Sequence, residues 1–430
     1  MRRSITPTAH NLFVPGGAGI ILAPMQAPCG FKPLFIPLAA LVAVAGLACG
    51  EETSPRVFSV SPGALARTRT RLASGDTNLQ PAFKKLVADA DKALQVKPLS
   101  VMDKPKPGAS GDKHDYFSGA PYFWPDPAKK DGLPYIRKDG QRNPESQNEN
   151  SDSPRLGKLA DTSHSLALAY YFTGKEAYAE HAARLLRRWF LEPATRMNPN
   201  FNQAQAVPGR NAGRGTGMIE SRSLQSVTDA AGLLAGSRHW TKADQTGLIE
   251  WLRAFLDWAQ TSKNGRDEAA AKNNHGTFYD GQIAHFALFT GQTNLARQII
   301  EAAKERRIAA QIKPDGSMPL ELARADSFGY SRFNVAAFFT LATLGEHIGV
   351  DLWRFKTADG AGIRQALDFL MPYAEQPDKE WPFEHGKKNS RTLDGILRKA
   401  HAVYGDERYL NLLRKTSGYE RQREALLFAK

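Results

Sequence analysis

Asn274, His275, Arg324 and Tyr330 bring together an amide, an imidazole, a guanidinium and a phenol. Such a set can draw a proton from a carbon beside a carboxylate. That proton is very weakly acidic while the carboxylate is ionised, because removing it builds a second negative charge next to the first. Donors must therefore neutralise the carboxylate before a base and an acid can act. Preorganised donors aimed at developing charge are usually the largest catalytic term, and general acid–base transfer adds roughly 10²–10⁴-fold. Asn274 can donate through its amide, and Arg324 can grip a carboxylate with its planar fork. Tyr330 can serve as base and then return the proton to a leaving oxygen. His275 either neutralises the carboxylate or acts as base from the opposite face. The set requires no metal and no organic cofactor.

Each residue alone has a plainer reading. Asn273 or Asn274 is a good N-cap, which makes the Asn-Asn-His run an ordinary helix start. Arg324 by itself reads as a surface ion-pairing residue, and Tyr330 as a half-buried core tyrosine. The chemical reading needs a fold that gathers them.

The segment Tyr171-Phe172-Thr173-Gly174 recurs as Leu288-Phe289-Thr290-Gly291, and more loosely as Val403-Tyr404-Gly405. In each, an apolar helix meets a glycine suited to the left-handed position past a helix end, and an amphipathic helix follows. With Gly236 and Gly349 included, the stops recur every 55 to 62 residues. That is the signature of stacked helix pairs, each too small to bury its own apolar face. The expected fold is all-α, an α/α toroid, meaning an incomplete barrel of helical hairpins. His275 and Tyr330 lie 55 residues apart, about one repeat, which puts them on neighbouring hairpins. Upstream, the spacing of Leu79, Phe83, Leu86, Val87, Ala90 and Leu94 predicts a helix.

Residues 104–155 break the pattern. They are rich in Gly, Pro, Asp, Lys and Asn, yet carry Tyr116, Phe117, Tyr122, Phe123, Trp124 and Tyr135. An irregular stretch of that length in a compact domain is usually functional, and this one reads as a lid-like binding loop. Residues 51–430 are expected to form one domain.

The net charge is +13 at pH 7 over 430 residues, which suits an acidic polymer, either nucleic acid or polysaccharide. Both cysteines, Cys29 and Cys49, lie in the first 50 residues, so the rest can form neither a disulfide nor a thiolate metal site. The apolar run from Leu34 to Ala48 follows Lys32 and fits the core of a secretory signal. It ends in Gly46-Leu47-Ala48-Cys49-Gly50, which resembles a bacterial lipobox. Residues 1–50 are therefore expected to be a signal peptide, of lipoprotein type if Cys49 is lipidated. The mature protein would be periplasmic or held at the outer membrane through that cysteine.

The Asn273-Asn274-His275-Gly276 run is similar to the catalytic motif of bacterial alginate lyases with an α/α-toroid fold. So are Met197-Asn198-Pro199-Asn200-Phe201, the runs from Gln203 to Gly209 and from Gly213 to Ile219, and Pro319-Leu320-Glu321-Leu322-Ala323-Arg324 followed by Tyr330. The resemblance spans roughly Tyr116 to Gly386. It implies a polysaccharide lyase that cleaves alginate, a polyuronate, by β-elimination. The C5 proton is removed and the C4 oxygen leaves, giving a 4,5-unsaturated uronic acid. By resemblance, Tyr330 is base and acid while Asn274, His275 and Arg324 act at the carboxylate, without a cofactor. The implied partner is an anionic polysaccharide, alginate or glucuronan, rather than a nucleic acid. Arg324 and Tyr330 are six residues apart, one fewer than in the mannuronate-specific members. That spacing looks more like a sister family that includes glucuronan lyases. Gln205, Arg210, Arg214 and Arg222 are candidate substrate contacts, and Tyr122, Trp124 and Trp381 are candidate stacking platforms. Two other classes compete: a uronide hydrolase using Asp152 or Asp161, and a polyuronate-binding lipoprotein without catalysis.

Overall fold

The computed structural model describes residues 55–61, 63–376, 378–385 and 392–429. The expected signal segment, with Cys29 and Cys49, lies outside the described residues. Helices α1 (Ala64–Ala73) and α2 (Gln80–Ala93) come first, α2 falling where the apolar spacing predicts it. The first hairpins are α3 (Ser153–Thr173) with α4 (Glu176–Phe190) and α5 (Ser223–Leu233) with α6 (Lys242–Thr261). After the short α7 (Lys263–Ala269) come α8 (Asn274–Phe289) and α9 (Thr293–Ala303). After the short α10 (Pro319–Leu322) come α11 (Ser327–Glu346) and α12 (Ile363–Glu375). The pair α13 (Asp394–Tyr404) and α14 (Glu407–Arg414) follows. All five predicted stops, Gly174, Gly236, Gly291, Gly349 and Gly405, have φ between 69° and 90°.

The helices are of two kinds. Helices α3, α5, α8 and α11 are buried on nearly every side, and each packs on the next. Their partners are amphipathic. Helix α9, for example, buries only Ala296, Ile300 and Ala303, one stripe at a spacing of four and three. The all-buried helices form an inner wall and the amphipathic ones an outer layer, which makes an incomplete α/α toroid. Helices α8 and α11 run side by side. Their first turns share one cleft and the residues past their last turns share another cavity.

The irregular segment carries β1 (Phe117–Gly119), β2 (Phe123–Trp124) and β3 (Ile136–Arg137), and β4 (Gln203–Ala206) follows α4. Strand β1 pairs in parallel with β4, Phe117 opposite Gln203, and β2 pairs antiparallel with β3, Trp124 opposite Ile136. The first pairing ties the 104–155 segment to the backbone around Gln205. Among the described residues no helix is long and apolar enough to cross a membrane.

One buried charge stands apart from the cleft. Lys399 packs against the rings of Trp353 and Phe428, 5.5 and 5.1 Å from their centroids, and its amine meets the Thr343 hydroxyl. Burial pushes that amine down to about 7. An unfolded lysine titrates near ~10.4, so between these values the unfolded chain holds the proton and the folded chain does not. The burial penalty is fully present below pH 7 and fades as pH rises toward 10. Lys399→Met should therefore raise the melting temperature at pH 6 by several degrees, with a smaller gain at pH 9. Thermal unfolding at the two pH values checks this, and an equal gain at both would contradict it.

Candidate active site

A cleft of about 910 Å³ opens beside the first turns of α8 and α11. It is lined by Asn274, His275, Arg324 and Tyr330, and also by Tyr122, Gln205, Arg214 and Arg222. The fold thus brings eight of the candidate residues to one place. Two helix N-termini face this cleft, and the positive ends of their dipoles favour an anion there, although Glu321, Asn273 and Asp326 already accept several of their first N–H groups. The lining includes six arginines, Arg137, Arg142, Arg214, Arg222, Arg324 and Arg332, against the two acids Glu220 and Asp326.

Asn273 is the N-cap of α8, its side chain accepting the His275 N–H at 3.3 Å. The cap turns Asn274 and His275 into the cleft. Gly276 follows because there is no room for a side chain, as a Cβ would strike the Ala271 carbonyl and the Arg307 guanidinium. Arg307 is itself buried and fixes the turn. It pairs with Asp280 at 2.7 Å and donates to the carbonyls of Ala271 and Ala269 at 2.6 and 2.9 Å. It sits in a short π-helical segment, Lys304–Ala309, a distortion often found beside functional sites.

Two carboxylates to which the sequence assigned no role hold the catalytic candidates. Glu268, on α7 and 1% exposed, lies 2.6 Å from His275 Nδ1. With its Nδ1–H donated to that carboxylate, the imidazole leaves Nε2 as a free acceptor. Glu321 accepts the Asn274 backbone N–H and its Nδ2, both at 2.6 Å. Burial pushes the Glu321 carboxyl up, while the two donors from Asn274 oppose that. The amide of Asn274 is thereby fixed, with one N–H left and an Oδ1 that has no partner among the described residues.

Arg324 differs from the expectation. Its fork is occupied: Nε and Nη2 donate to the two oxygens of Asp139 at 3.0 and 2.9 Å. The Arg324 and Arg137 guanidiniums hold the Asp139 carboxyl well below the usual range. The Arg324 cation also lies 3.7 Å from the centroid of the Tyr330 ring, against the phenol. The Tyr330 hydroxyl donates to the Tyr122 hydroxyl at 3.0 Å. Burial, then this contact with Tyr122, pushes the Tyr330 phenol well up, and Arg324 opposes it. Asp139→Asn should lower kcat about tenfold by loosening Arg324 over the ring. It should cost under ~1 kcal/mol of stability, because the pair is partly solvated. Kinetics and melting of this variant check both, and an unchanged kcat would remove the contact from the reaction.

Gln205 and Arg214 are joined, Arg214 Nη2 donating to Gln205 Oε1 at 2.7 Å, and the Arg214 guanidinium lies over the Phe123 ring at 4.9 Å. Burial and the neighbouring Arg137 bring Arg214 down to about 10. Arg222 lies over the Phe333 ring at 5.3 Å.

Three candidates are not among the residues lining the cleft. Arg210 is exposed and donates to the Tyr135 carbonyl at 2.7 Å. Trp124 donates to the Gln141 carbonyl and lies under Lys138, which leaves it a loop-stabilising residue. Trp381 is buried in a cluster with Phe328, Phe369, Tyr373 and Phe383, so it packs rather than stacks on a ligand. The carboxylates of the hydrolase alternative are also elsewhere. Asp152 is buried and saturated by Lys104 at 2.8 Å, the Phe117 N–H at 3.0 Å and Arg155 at 3.2 Å. The Asp161 side chain is 71% exposed, near Arg423 on the surface. Among the described residues no group of three or more His, Cys, Asp and Glu is placed to hold a metal ion.

A family model described as alginate lyase matches residues 100–381. A crystal structure of an alginate lyase from Bacteroides ovatus is 40% identical, with a TM-score of 0.82, covering 87% of this chain and 99% of its own. Alginate lyase A1-III from Sphingomonas species A1 shares the fold at 19% identity and a TM-score of 0.55, covering 89% of this chain and all of its own. A variant of alginate lyase A1-III complexed with tetrasaccharide aligns similarly, with 19% identity, a TM-score of 0.56 and coverage of 89% and 99%. No curated protein matches the chain. A family match over more than half of the sequence, joined to a relative of this identity over nearly the whole toroid, means that the chain belongs to the alginate-lyase family of polysaccharide lyases.

Proposed function

We propose that the protein depolymerises alginate or a closely related polyuronate such as glucuronan by β-elimination, with His275 and Tyr330 moving the proton. The observation that carries this reading is the pairing of two groups in one basic cleft. One is an imidazole whose Nδ1 is held by a buried carboxylate, and the other is a phenol stacked under a guanidinium. A bound uronate would bring its carboxylate toward the remaining Asn274 N–H, the positive end of α8 and the arginines that line the cleft. That neutralises the charge beside C5. His275 Nε2 takes the C5 proton, and electrons move into the C4–C5 bond as the C4–O bond breaks. Tyr330 donates its proton to the leaving oxygen. Its upward-shifted phenol is protonated at rest, which suits an acid better than a resting base. Where the C5 proton lies on the side of Tyr330, the Arg324 stack supports the other assignment, in which Tyr330 takes the proton and returns it.

The 104–155 segment is the second part of the proposal. It contributes Tyr122, Arg137, Asp139 and Arg142 to the cleft or its partners, which supports a lid that completes the site over bound polymer. Export to the periplasm, with or without a lipid at Cys49, suits a polymeric substrate that does not enter the cytoplasm.

A panel of polyuronates tests the function. Elimination makes an alkene conjugated to the carboxylate, so new ultraviolet absorbance should grow with time on alginate or glucuronan. New reducing ends without that absorbance would point to a hydrolase. Binding with neither would leave a carbohydrate-binding protein.

A further inference from the structure

Glu220 has no place in the mechanism above, yet it lines the cleft. It lies in the 3₁₀ segment Gly215–Arg222, which is pressed onto β4 so closely that a Cβ at Gly217 would strike the Ala204 carbonyl. Glu220 Oε2 accepts the Tyr116 hydroxyl at 2.8 Å and the Ser118 hydroxyl at 2.7 Å. Oε1 has one long contact, from Gln205 Nε2 at 3.5 Å. Among the described residues no cation lies within ion-pair distance of this carboxyl, though the Arg222 charge acts on it. The other acid of the lining, Asp326, is used as the N-cap of α11.

The surroundings are built for it. Gln205 has φ 51°, the one non-glycine residue of positive φ among those described. Such a backbone is strained and persists where its neighbours over-determine it. Here the Gln205 N–H donates to Ser118 Oγ at 2.8 Å, and its side chain bridges Glu220 to Arg214. Burial raises the Glu220 carboxyl, and the Ser118, Tyr116 and Gln205 donors oppose it.

An acceptor of this kind is costly in a cleft meant for a polyanion, since it repels the carboxylates the arginines attract. It becomes favourable against a hydroxyl. A uronate ring carries its carboxylate at one position and hydroxyls at others, and only the hydroxyls can donate to Oε1. We propose that Glu220 is a specificity-determining residue that accepts a hydrogen bond from a ring hydroxyl of the bound uronate, so that polymer with that hydroxyl free is selected over polymer in which it is esterified. This rests on the lyase reading of the same cleft. An ester has no proton to give and leaves Oε1 unpaired and crowded. Sites built to bond a hydroxyl reject analogues that lack it strongly.

The test uses one polyuronate preparation, de-esterified in one half and chemically O-acetylated in the other. The ratio of kcat/KM on the two is read by alkene absorbance. The wild-type enzyme should prefer the free polymer by at least about tenfold. Glu220→Gln keeps the Tyr116 and Ser118 bonds through its carbonyl oxygen but turns an N–H₂ toward the position of Oε1. Its ratio should fall to about threefold or less, with the melting temperature little changed. Glu220→Ala should lose the preference in the same way. A wild-type enzyme without preference overturns the inference. So does a Glu220→Gln enzyme that is slower on both polymers with its ratio intact, as a purely structural role would give. Absence of alkene from every polymer would instead sink the lyase reading, and this inference with it.

Discussion

Tyr330→Phe is expected to lower kcat by about 10³-fold or more while KM changes by less than about threefold, because the ring stays and only the proton is lost. The ring lies under Arg324, and that stack does not need the hydroxyl. The hydroxyl reaches Tyr122, so its removal costs one partly buried hydrogen bond and little stability. Without it the leaving oxygen must depart as an alkoxide. Steady-state kinetics on de-esterified polymer, with binding of an oligouronate measured separately, separates the two effects. Near-normal kcat would remove Tyr330 from proton transfer. A loss confined to KM would make it a binding residue.

His275→Gln alone should lower kcat by a comparable factor, roughly 10²–10⁴, for substrate whose C5 proton faces the imidazole. Glutamine fills the space and offers Glu268 an N–H in place of Nδ1–H, but has no base at the position of Nε2. Glu268 would then remain bonded, so the buried carboxylate is not left to destabilise the fold. The double variant with Tyr330→Phe should be little worse than the slower single one, since residues acting in one proton relay are strongly non-additive. Independent losses that multiply would mean that the two act in different steps. A polymer on which His275→Gln is nearly silent while Tyr330→Phe is severe would mark a substrate for which Tyr330 is both base and acid.

The parts of this site that local chemistry dictates were legible in the sequence. Glycines at a near-regular spacing marked the turn within each hairpin, because a helix stopping in the left-handed conformation leaves that residue little choice. Asn273 as a cap, and a repeat-length separation of His275 from Tyr330, placed the pair on adjacent hairpins. The missing parts are tertiary. Asp139 meets Arg324 across 185 residues and Glu321 meets Asn274 across 47, and nothing in either local sequence marks an acid as a partner. Glu268 is only seven residues before His275. Yet an acid at that distance usually faces solvent, and the turn held by Arg307 is what aims it inward. Trp381 shows the reverse error. An aromatic near a groove reads equally as platform or packing, and the neighbouring rings decide for packing. For Arg324 the chemistry was readable but its target was not, since a fork that fits a substrate carboxylate fits Asp139 as well.

The most direct test of the central claim is the mass balance of one cleaved oligouronate of defined length. If His275 and Tyr330 carry out β-elimination, the two product masses sum to that of the substrate, with the unsaturation on the fragment that gains the new non-reducing end. A sum heavier by one water, with no unsaturated product, would show hydrolysis and contradict the account.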